Sequence, residues 1–478
     1  MNPTEHILEC FAQISAIPRR TGNEAGIRAW LQAWASARRF SSQADAVGNL
    51  VVRVPASAGY EGRPALILQG HLDMVCEKTP ASPHNFTRDP IRLIRDGDWL
   101  HADQTTLGAD NGIGIALMLA LVENETVRHP ALELLLTVAE ENGLVGADNL
   151  DPALLSAKTL INLDSETVGV FTVGCAGGGT VNITLPVTWS PQATDEVAFK
   201  LQVGGLQGGH SGEDINRHRA NANKLLGRVL DEMQHSVALR LAALQGGTAR
   251  NAIPRTAQTV FLCPAEQATA CREAFAVSLA NVQAEHAASE PEMSITLAEL
   301  SGAPLRAIQR SETVTGLRLL VALPHGVAAM SAEMPGLVET SNNIGVMELQ
   351  ESGLSIISNQ RSSVFTRLQE LIERVEAVAW LAGAHTERTK IFPPWQPNLG
   401  SPLLKKGVET YQKVTATAPQ IHMTHGGLEC GILSERCGGL DALSLGPRIE
   451  NLHSPDERLL VTSLAPTWEF LVALLKAD

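Results

Sequence analysis

The stretch Pro130-Ala-Leu-Glu-Leu-Leu-Leu-Thr-Val-Ala-Glu-Glu-Asn-Gly143 decides how the rest of the chain is interpreted. Residues 132–139 form an apolar run of strand length, which ends at the adjacent carboxylates Glu140 and Glu141 and an Asn-Gly turn. In open α/β sheets, ligands bind at the carboxyl ends of the strands. Because neighbouring strand residues point to opposite faces, we expect one acid to hold a metal ion and the other to move a proton. The alternative is a strand that runs into an acidic, solvated turn.

Two further apolar runs end in residues of the same kind. Residues 65–69 lead to His71 and Asp73, and residues 159–163 lead to Asp164. His71 and Asp73 are two positions apart, so on an extended chain they share a face. Asp73 can then hydrogen-bond one ring nitrogen of His71 while the other nitrogen binds a metal ion. Any one run is compatible with an ordinary strand end, but three together indicate a site at the edge of a sheet.

Composition limits the classes of protein to which the chain can belong. Its 478 residues suggest two or three domains, and its formal net charge of −14 argues against a nucleic-acid-binding surface. The seven cysteines lack the spacing of a zinc motif or a disulfide framework, which is typical of free thiols in a reducing compartment. The first residues do not resemble a signal peptide, and the longest apolar run, 113–122, is too short to span a membrane. We therefore expect a soluble cytoplasmic protein that binds neither nucleic acid nor membrane.

Apolar periodicity predicts the main elements. Helices are expected at 5–17, 24–35 and 365–383, and strands near 47–54, 344–349 and 353–358. Residues 264–335 are expected to be mostly helix and loop. Asp110 follows a glycine-flanked turn and stands where a helix N-cap belongs. Capping is compatible with a second role, in which its carboxylate is held rigidly at the helix start and points to the sheet edge.

Segments rich in glycine or proline divide the chain. Residues 173–179 contain four glycines, and Pro393-Pro-Trp-Gln-Pro397 ends the part that follows. We therefore predict an α/β catalytic domain built from residues 1–180 and 397–478. An α+β domain of residues 181–396 is expected to be inserted between them.

Five motifs lie along the chain: His71-Leu-Asp73, Gly108-Ala-Asp110-Asn-Gly, Glu140-Glu141-Asn-Gly, Asp164-Ser-Glu and His453-Ser-Pro-Asp. Together they resemble the di-zinc peptidases of the aminoacylase and carboxypeptidase type. Six further motifs are Leu72-Asp-Met-Val, Thr106-Leu-Gly-Ala-Asp-Asn-Gly-Ile-Gly, Gly208-Gly-His-Ser-Gly, Arg250-Asn-Ala-Ile-Pro, Pro394-Trp-Gln-Pro and Gly426-Gly-Leu-Glu-Cys-Gly. They make the chain similar to the aminoacyl-histidine dipeptidase branch, also called cytosol non-specific or β-alanyl-histidine dipeptidases. The resemblance covers nearly the whole chain.

The resemblance implies two divalent metal ions, expected to be zinc, although manganese and cobalt also suit sites of histidine and carboxylate. The implied ligands are His71 and Asp164 for one ion, Glu141 and His453 for the other, and Asp110 as a bridge. Metal ions in two-metal sites lie roughly 3.5–4 Å apart, which one carboxylate can span. Asp73 is expected to orient His71. Glu140 is expected to act as the general base that activates a metal-bridging water, whose hydroxide attacks the peptide bond.

The resemblance also assigns residues to the inserted domain, which is expected to act as a lid and as a dimerisation surface of a homodimer. His210 would stabilise the oxyanion of the tetrahedral intermediate. Asn251 and Arg361 would bind the polar ends of the substrate, and Gly426 and Gly427 would offer backbone N–H groups to its carboxylate. Without the resemblance, a loop histidine, a turn amide and a surface charge explain the first three residues as well.

The implied function is hydrolysis of dipeptides that carry a free C-terminal carboxylate, with broad specificity and with Xaa-His substrates included. One alternative on the same scaffold is an N-acyl-amino-acid amidohydrolase or an aminopeptidase. A second alternative is a metal- or peptide-binding protein without catalysis. That alternative predicts the loss of Glu140 or of a ligand, and the sequence retains all of them.

Overall fold

The computed structural model describes residues 2–302, 305–332 and 334–477, which form two compact units. The first unit contains the described residues up to Cys175, the segment Trp395–Met423 and the described residues from Leu428 onward. The second unit contains Ala176–Pro394 and the short segment Thr424–Gly427. Among the described residues, no helix combines the length and the apolar character that a membrane crossing requires.

The first unit alternates helices and strands. Its α-helices are Pro3–Ser15, Ala25–Ala37, Ala109–Glu123, Val145–Asp148, Pro402–Thr415, Glu429–Arg436 and Leu464–Lys476, with 3-10 turns at Pro152–Leu154 and Val461–Ser463. Its strands are Ser41–Ala44, Leu50–Val54, Leu66–His71, Leu93–Asp96, Trp99–Ala102, Leu132–Thr137, Thr159–Asn162, Val170–Cys175, Gln420–Thr424, Asp441–Ser444, Ile449–Glu450 and Arg458–Leu460. Eight of the strands form one sheet, and four of the others form a smaller sheet.

The centre of the eight-stranded sheet is parallel. Its four central strands are, in spatial order, Leu132–Thr137, Leu66–His71, Thr159–Asn162 and Asp441–Ser444. These strands are buried and rich in Leu and Ile, as expected where helices cover both faces of a sheet. Parallel strands end at the same edge, so the segments that follow them lie close together. The predicted α/β class is confirmed, and the three predicted strand ends lie at this edge.

Helix Ala109–Glu123 is apolar on all sides, and residues 113–121 are buried. A helix of this composition belongs in the interior of a domain. It packs against the strand Leu66–His71 and the helix Pro3–Ser15. Its first residues therefore face the sheet edge, and its last residue, Glu123, lies near the N-terminal helix.

The second unit is an α+β structure. Its α-helices are Ala222–Met233, Ala268–His286, Arg310–Ala322 and Phe365–Leu381, with 3-10 turns at Ile215–Arg217 and Ala265–Gln267. Its strands are Gly177–Leu185, Trp189–Pro191, Glu196–Gly204, Gly209–His210, Arg240–Gly246, Ala252–Ile253, Ala257–Pro264, Ser294–Leu300, Arg306–Ile308, Gly326–Met330, Val338–Gln350, Gly353–Ser362 and His385–Phe392. A nine-stranded sheet is its largest element, and the helices bury their apolar faces in one core.

One expectation for this unit holds for most of the residues concerned, which lie in helices or loops. Residues 264–335 were expected to be mostly helix and loop, but they also contain the strands Ser294–Leu300, Arg306–Ile308 and Gly326–Met330. The first and third lie at the margins of the large sheet and are mostly exposed or half-buried, so they lack the apolar alternation that marks a strand. Ala303, Pro304 and Glu333 of the same stretch lie outside the described residues.

Candidate metal centre and active site

Three segments at the carboxyl edge of the first unit's sheet carry the predicted acids and histidine. His71 is the last residue of its strand, and Asp164 follows the strand Thr159–Asn162 by two residues. Glu140 and Glu141 do not continue their strand, which ends at Thr137, but lie in the turn after it. The argument that they point to opposite faces of a strand was therefore wrong. Their positions are fixed by hydrogen bonds of the turn.

Asp73 holds both the histidine and this turn. Its Oδ1 lies 3.3 Å from Nδ1 of His71, as the sequence predicted. Its two oxygens also accept the backbone N–H groups of Glu140 and Glu141, at 3.0 and 3.2 Å. The hydroxyl of Thr21 donates a further hydrogen bond at 2.8 Å. These bonds lower the pKa of Asp73 although burial raises it. One carboxylate thus positions three of the predicted site residues.

Asp110 lies between two imidazoles. Its Oδ1 is 2.8 Å from Nε2 of His71, and its Oδ2 is 3.1 Å from Nε2 of His453. Asp164 Oδ1 is 3.5 Å from the first of these nitrogens, and Glu141 Oε1 is 3.2 Å from the second. The ligand atoms fall into two sets of three, each within 4.8 Å of one another, and both sets contain Asp110.

Asp110 does not cap the helix. Asp110 and Asn111 have non-helical backbone angles, so the regular helix starts after them. The N–H groups of Leu107, Gly108 and Ala109 donate instead to the buried carboxylate of Glu457, at 2.8–2.9 Å. Both oxygens of Asp110 remain directed to the histidines.

The pKa values show how strongly these groups depend on one another. Burial raises the pKa of Asp110, but hydrogen bonds from His453 and His71 outweigh it and leave that pKa well below its ordinary range. Burial lowers the pKa of His453, whereas its hydrogen bonds with Asp110 and Glu141 raise it to about 12. Burial and the Glu141 carboxylate raise the pKa of Glu140 well above its usual value. The acids therefore favour positive charge at these two imidazoles, and a bound metal cation would supply it.

The donor set suits two divalent ions. Imidazole nitrogens and carboxylate oxygens are the ligands that zinc accepts, and a catalytic zinc keeps one position open for water. Each set supplies one imidazole, one terminal carboxylate and one oxygen of Asp110. A further set of His71, Glu140 and Glu141 lies within the same distance limit. The residues present thus fit the pair of ions that the sequence implies.

Two buried charges, which the sequence patterns do not indicate, hold the ligand segments together. The guanidinium of Arg19 donates to the carbonyls of Leu72, Asp73 and Gly108. Glu457 binds the N–H groups before Asp110 from a position four residues after His453. A side chain on Gly108 or Gly112 would collide with the Arg19 guanidinium, which explains both glycines of that motif. No sequence signal marks Arg19, whereas Glu457 adjoins the His453-Ser-Pro-Asp motif.

A third buried charge lies beneath the sheet edge. Glu429 Oε2 accepts hydrogen bonds from Gln69 Nε2 and from the Thr137 hydroxyl, the second at 2.7 Å. Its side chain is fully buried, and burial raises its pKa to about 7. In the sequence, Glu429 is part of a glycine motif, and nothing local indicates that its carboxylate is buried.

The other predicted residues belong to the second unit and form a linked group there. His210 Nδ1 accepts the N–H of Glu213 at 3.2 Å, and the Glu213 carboxylate accepts the N–H of Gly426 at 3.0 Å. Arg361 is buried, and its Nη1 lies 3.5 Å from the backbone oxygen of His425. The segment Thr424–Gly427, with both glycines, therefore packs with this unit, although the predicted boundaries placed it in the catalytic domain.

Asn251 joins the same group through its backbone. Its carbonyl accepts the N–H of Ser211 at 2.8 Å, and its side chain is exposed. His425 Nε2 lies 2.7 Å from the hydroxyl of Ser341. Burial and the Arg361 charge lower the pKa of His425 to about 3, so this imidazole is neutral.

The chain is similar to known proteins over nearly its whole length. Residues 67–477 match peptidase family M20/M25/M40. The chain is 38% identical to the cytosol non-specific dipeptidase of Escherichia coli (strain K12) over 468 residues, which cover 98% of this chain and 96% of that protein. The aminoacylhistidine dipeptidase of Vibrio alginolyticus matches with a TM-score of 0.81 and 35% identity, over 98% and 96% of the two chains. An aminopeptidase of Bacillus cereus shares the fold, with a TM-score of 0.56 and 17% identity over 99% and 98% of the chains. The predicted resemblance is confirmed.

Proposed function

The chain belongs to peptidase family M20/M25/M40, and from this premise we propose that it is a metal-dependent dipeptidase acting on dipeptides with a free C-terminal carboxylate. The observation that carries the proposal is Asp110, whose two oxygens face His71 and His453. Glu140 lies beside this arrangement and forms a set with His71 and Glu141. A pure binding protein would have no need for a half-buried base next to the ligands.

His71, Asp110 and Asp164 are the proposed ligands of one ion, and Asp110, Glu141 and His453 those of the other. Zinc is the proposed metal, and the same donors accept manganese or cobalt. When bound, two such ions supply Lewis acidity, which polarises the peptide carbonyl and makes a water more acidic.

Glu140 is the proposed general base. It takes a proton from the attacking water and returns it to the leaving amine, and such a base contributes about 10²–10⁴-fold to the rate. Burial and Glu141 raise the pKa of Glu140, which makes its carboxylate a stronger base. Asp73 positions Glu140 by accepting a hydrogen bond from the backbone N–H of Glu140.

The substrate's polar groups are assigned to the linked group of the second unit. Arg361 is the proposed partner of the terminal carboxylate, because a guanidinium offers two parallel N–H donors to it. The backbone N–H groups of Gly426 and Gly427 and the amide of Asn251 are proposed to help bind the substrate. His210 is the proposed donor to the developing oxyanion.

Cellular context is part of the same proposal. A cytoplasmic location is supported by the name of the E. coli relative and by seven cysteines that are all free thiols. A homodimer is proposed from the resemblance alone, and analytical ultracentrifugation of the purified chain would test it.

The decisive experiment measures hydrolysis of β-Ala-His, Gly-His, Leu-Gly and N-acetyl-Leu by the purified protein. We expect cleavage of the dipeptides but not of the acyl amino acid, and loss of that cleavage with a chelator or with Glu140→Ala. Glu125→Ala, which changes an exposed glutamate, is the matched control and should keep full activity. Cleavage of N-acetyl-Leu alone would keep the mechanism but make the chain an amidohydrolase. No cleavage of any substrate by protein that holds two ions would contradict the proposal.

A further inference from the structure

A second cluster of metal-ligand residues lies in the first unit, far from the proposed active site. It consists of His6, Cys10 and Glu123, whose ligand atoms all lie within 4.8 Å of one another. The distance from Nε2 of His6 to Oε2 of Glu123 is 2.9 Å, and that from Sγ of Cys10 to the same oxygen is 3.9 Å. Glu123 ends the helix whose first turn carries Asp110, so about 20 Å of helix separates the two clusters.

The two helices present these ligands to one another. His6 and Cys10 are four residues apart on the helix Pro3–Ser15, so their side chains lie on the same face. That face packs on the end of the helix Ala109–Glu123. The Cys10 side chain is 2% exposed, whereas those of His6 and Glu123 are 21% and 17% exposed. The cluster is therefore ordered by packing and still open to a small ion.

Neighbouring side chains orient two of the ligands. Oε1 of Glu123 accepts a hydrogen bond from Nε1 of Trp34 at 2.7 Å and another from Arg38. This leaves Oε2 directed at His6 and Cys10. Nδ1 of His6 lies 3.5 Å from a carboxylate oxygen of Glu9. A carboxylate on the far nitrogen is the usual partner of a metal-binding imidazole, because it fixes the ring and its tautomer.

The local charge also matches a divalent cation. The Glu123 carboxylate lies beside the Cys10 thiol, and the Glu9 carboxylate adjoins the His6 ring. Metal binding replaces the thiol proton. The thiolate and the two carboxylates would then carry three negative charges, and Arg38 contributes one positive charge. A divalent ion neutralises the remaining two.

We propose that His6, Cys10 and Glu123 bind a thiophilic divalent cation such as Zn²⁺ or Cd²⁺, with water as the fourth ligand. A nitrogen, a sulfur and an oxygen donor in tetrahedral geometry suit zinc. The ion links the N-terminal helix to the end of the helix Ala109–Glu123, so it stabilises the first unit. This site has its own ligands and does not depend on the proposed dipeptidase activity.

The test is a titration of the purified protein with Cd²⁺, followed through the ultraviolet charge-transfer band between thiolate and cadmium. The proposed active-site ligands include no cysteine, so Cd²⁺ bound there adds no thiolate band, and variants of single cysteines identify the thiol that gives it. We expect a band whose final intensity corresponds to one cadmium–thiolate bond per chain and that Cys10→Ser abolishes. Cys76→Ser, which changes another partly accessible thiol, is the matched control and should keep the band.

A second variant guards against misfolding of Cys10→Ser. His6→Gln changes a half-exposed side chain and should weaken Cd²⁺ binding at least about tenfold, while thermal unfolding without metal stays close to that of the wild type. The absence of a thiolate band at millimolar Cd²⁺ would overturn the proposal. A band that persists in Cys10→Ser, or a Cd²⁺ affinity unchanged in His6→Gln, would overturn it as well.

Discussion

At the scale of single residues, charges are placed where only a partner makes them tolerable. Asp110 is half-buried between two imidazoles, and its pKa stays low because of them. Asp73 is buried, and it is held by the His71 imidazole, the Thr21 hydroxyl and two backbone N–H groups. A buried charge without such partners costs several kcal/mol. The acids concentrated at this edge of the sheet therefore lower the stability of the fold, and such a cluster indicates a functional site.

The Arg361→Lys variant tests the proposed carboxylate contact. Lysine keeps the charge but loses the planar fork, so kcat/KM for a dipeptide should fall roughly 10- to 100-fold. The corresponding dipeptide amide, which lacks the carboxylate, should lose much less. Steady-state kinetics on both substrates measures the difference, with the exposed Arg367→Lys as control. Equal losses for acid and amide would show that Arg361 has only a structural role.

Glu429 predicts a pH dependence of stability in the metal-free protein. Burial raises its pKa in the folded state to about 7 from an ordinary 4.5. The folded protein therefore binds a proton more tightly than the unfolded chain between these values, and its stability falls as the pH rises through that window. The full loss, at most roughly 3 kcal/mol, is reached above pH 7.

Urea unfolding of the metal-free protein at pH 5 and pH 8 measures this effect. Glu429→Gln retains an acceptor for Gln69 and Thr137 but has no charge, so it should remove most of the difference between the two pH values. Glu125→Gln, on an exposed glutamate, should leave the difference unchanged. If Glu429→Gln has the same pH dependence as the wild type, the buried carboxylate is not its source.

At the scale of elements, the site depends on where a helix begins and a loop ends. Glu457 binds three consecutive N–H groups before Asp110, so the loop that carries His453 is attached to the helix start. Glu457→Gln replaces one carboxylate oxygen with an NH₂ group, which cannot accept a hydrogen bond from these backbone N–H groups. Residues of this kind around metal ligands typically contribute about 10- to 100-fold to metal affinity. We expect such a loss in competition with a chelating dye.

The control for this variant lies in the same loop region. The Glu450 carboxylate is paired with Arg448 and Arg458 rather than with the N–H groups before Asp110, so Glu450→Gln should keep the wild-type metal affinity. Circular dichroism should show both variants folded. A Glu457→Gln protein with undiminished metal affinity would reduce Glu457 to an ordinary helix cap.

The strand ends could be predicted from the sequence because a parallel strand has a local signature. An acid or a histidine after an apolar run marks the end of a strand, and parallel strands bring such ends to one edge of the sheet. Arg19 and Glu457 could not be found in this way. The partners of Glu457 lie about 350 positions away in the chain, and no local pattern encodes such a contact. The start of the helix was missed for the same reason, since Glu457 rather than Asp110 binds its N–H groups.

At the scale of the whole molecule, all proposed ligands belong to the first unit. Ligand binding stabilises a folded state by about 2.7 kcal/mol at 100 times the dissociation constant. Chelation should therefore raise hydrogen exchange in the strand Leu66–His71 and the helix Ala109–Glu123. The strands Val338–Gln350 and Gly353–Ser362 of the second unit should be unaffected. Peptide-resolved mass spectrometry measures both, and an equal increase in the two units would contradict the ligand assignment.

Composition and segment boundaries indicated two units, but not every residue that belongs to each. Residues 424–427 pack with the second unit because Gly426 donates to Glu213 and His425 contacts Ser341. These partners are separated from them by long stretches of chain. A segment of only four residues that returns to the other unit has no distinct composition, so the sequence does not reveal it.

The order of the first unit's segments along the chain determines when the proposed ligand set is completed during translation. Four of the proposed ligands are translated before the second unit, whereas His453 and Glu457 follow only after the whole of it. A nascent chain therefore carries an incomplete set of ligands until residue 453 has been made. Premature termination before residue 453 would release a product unable to attack the small peptides around it. Peptide-cleaving capacity would be acquired only once residue 453 has been translated.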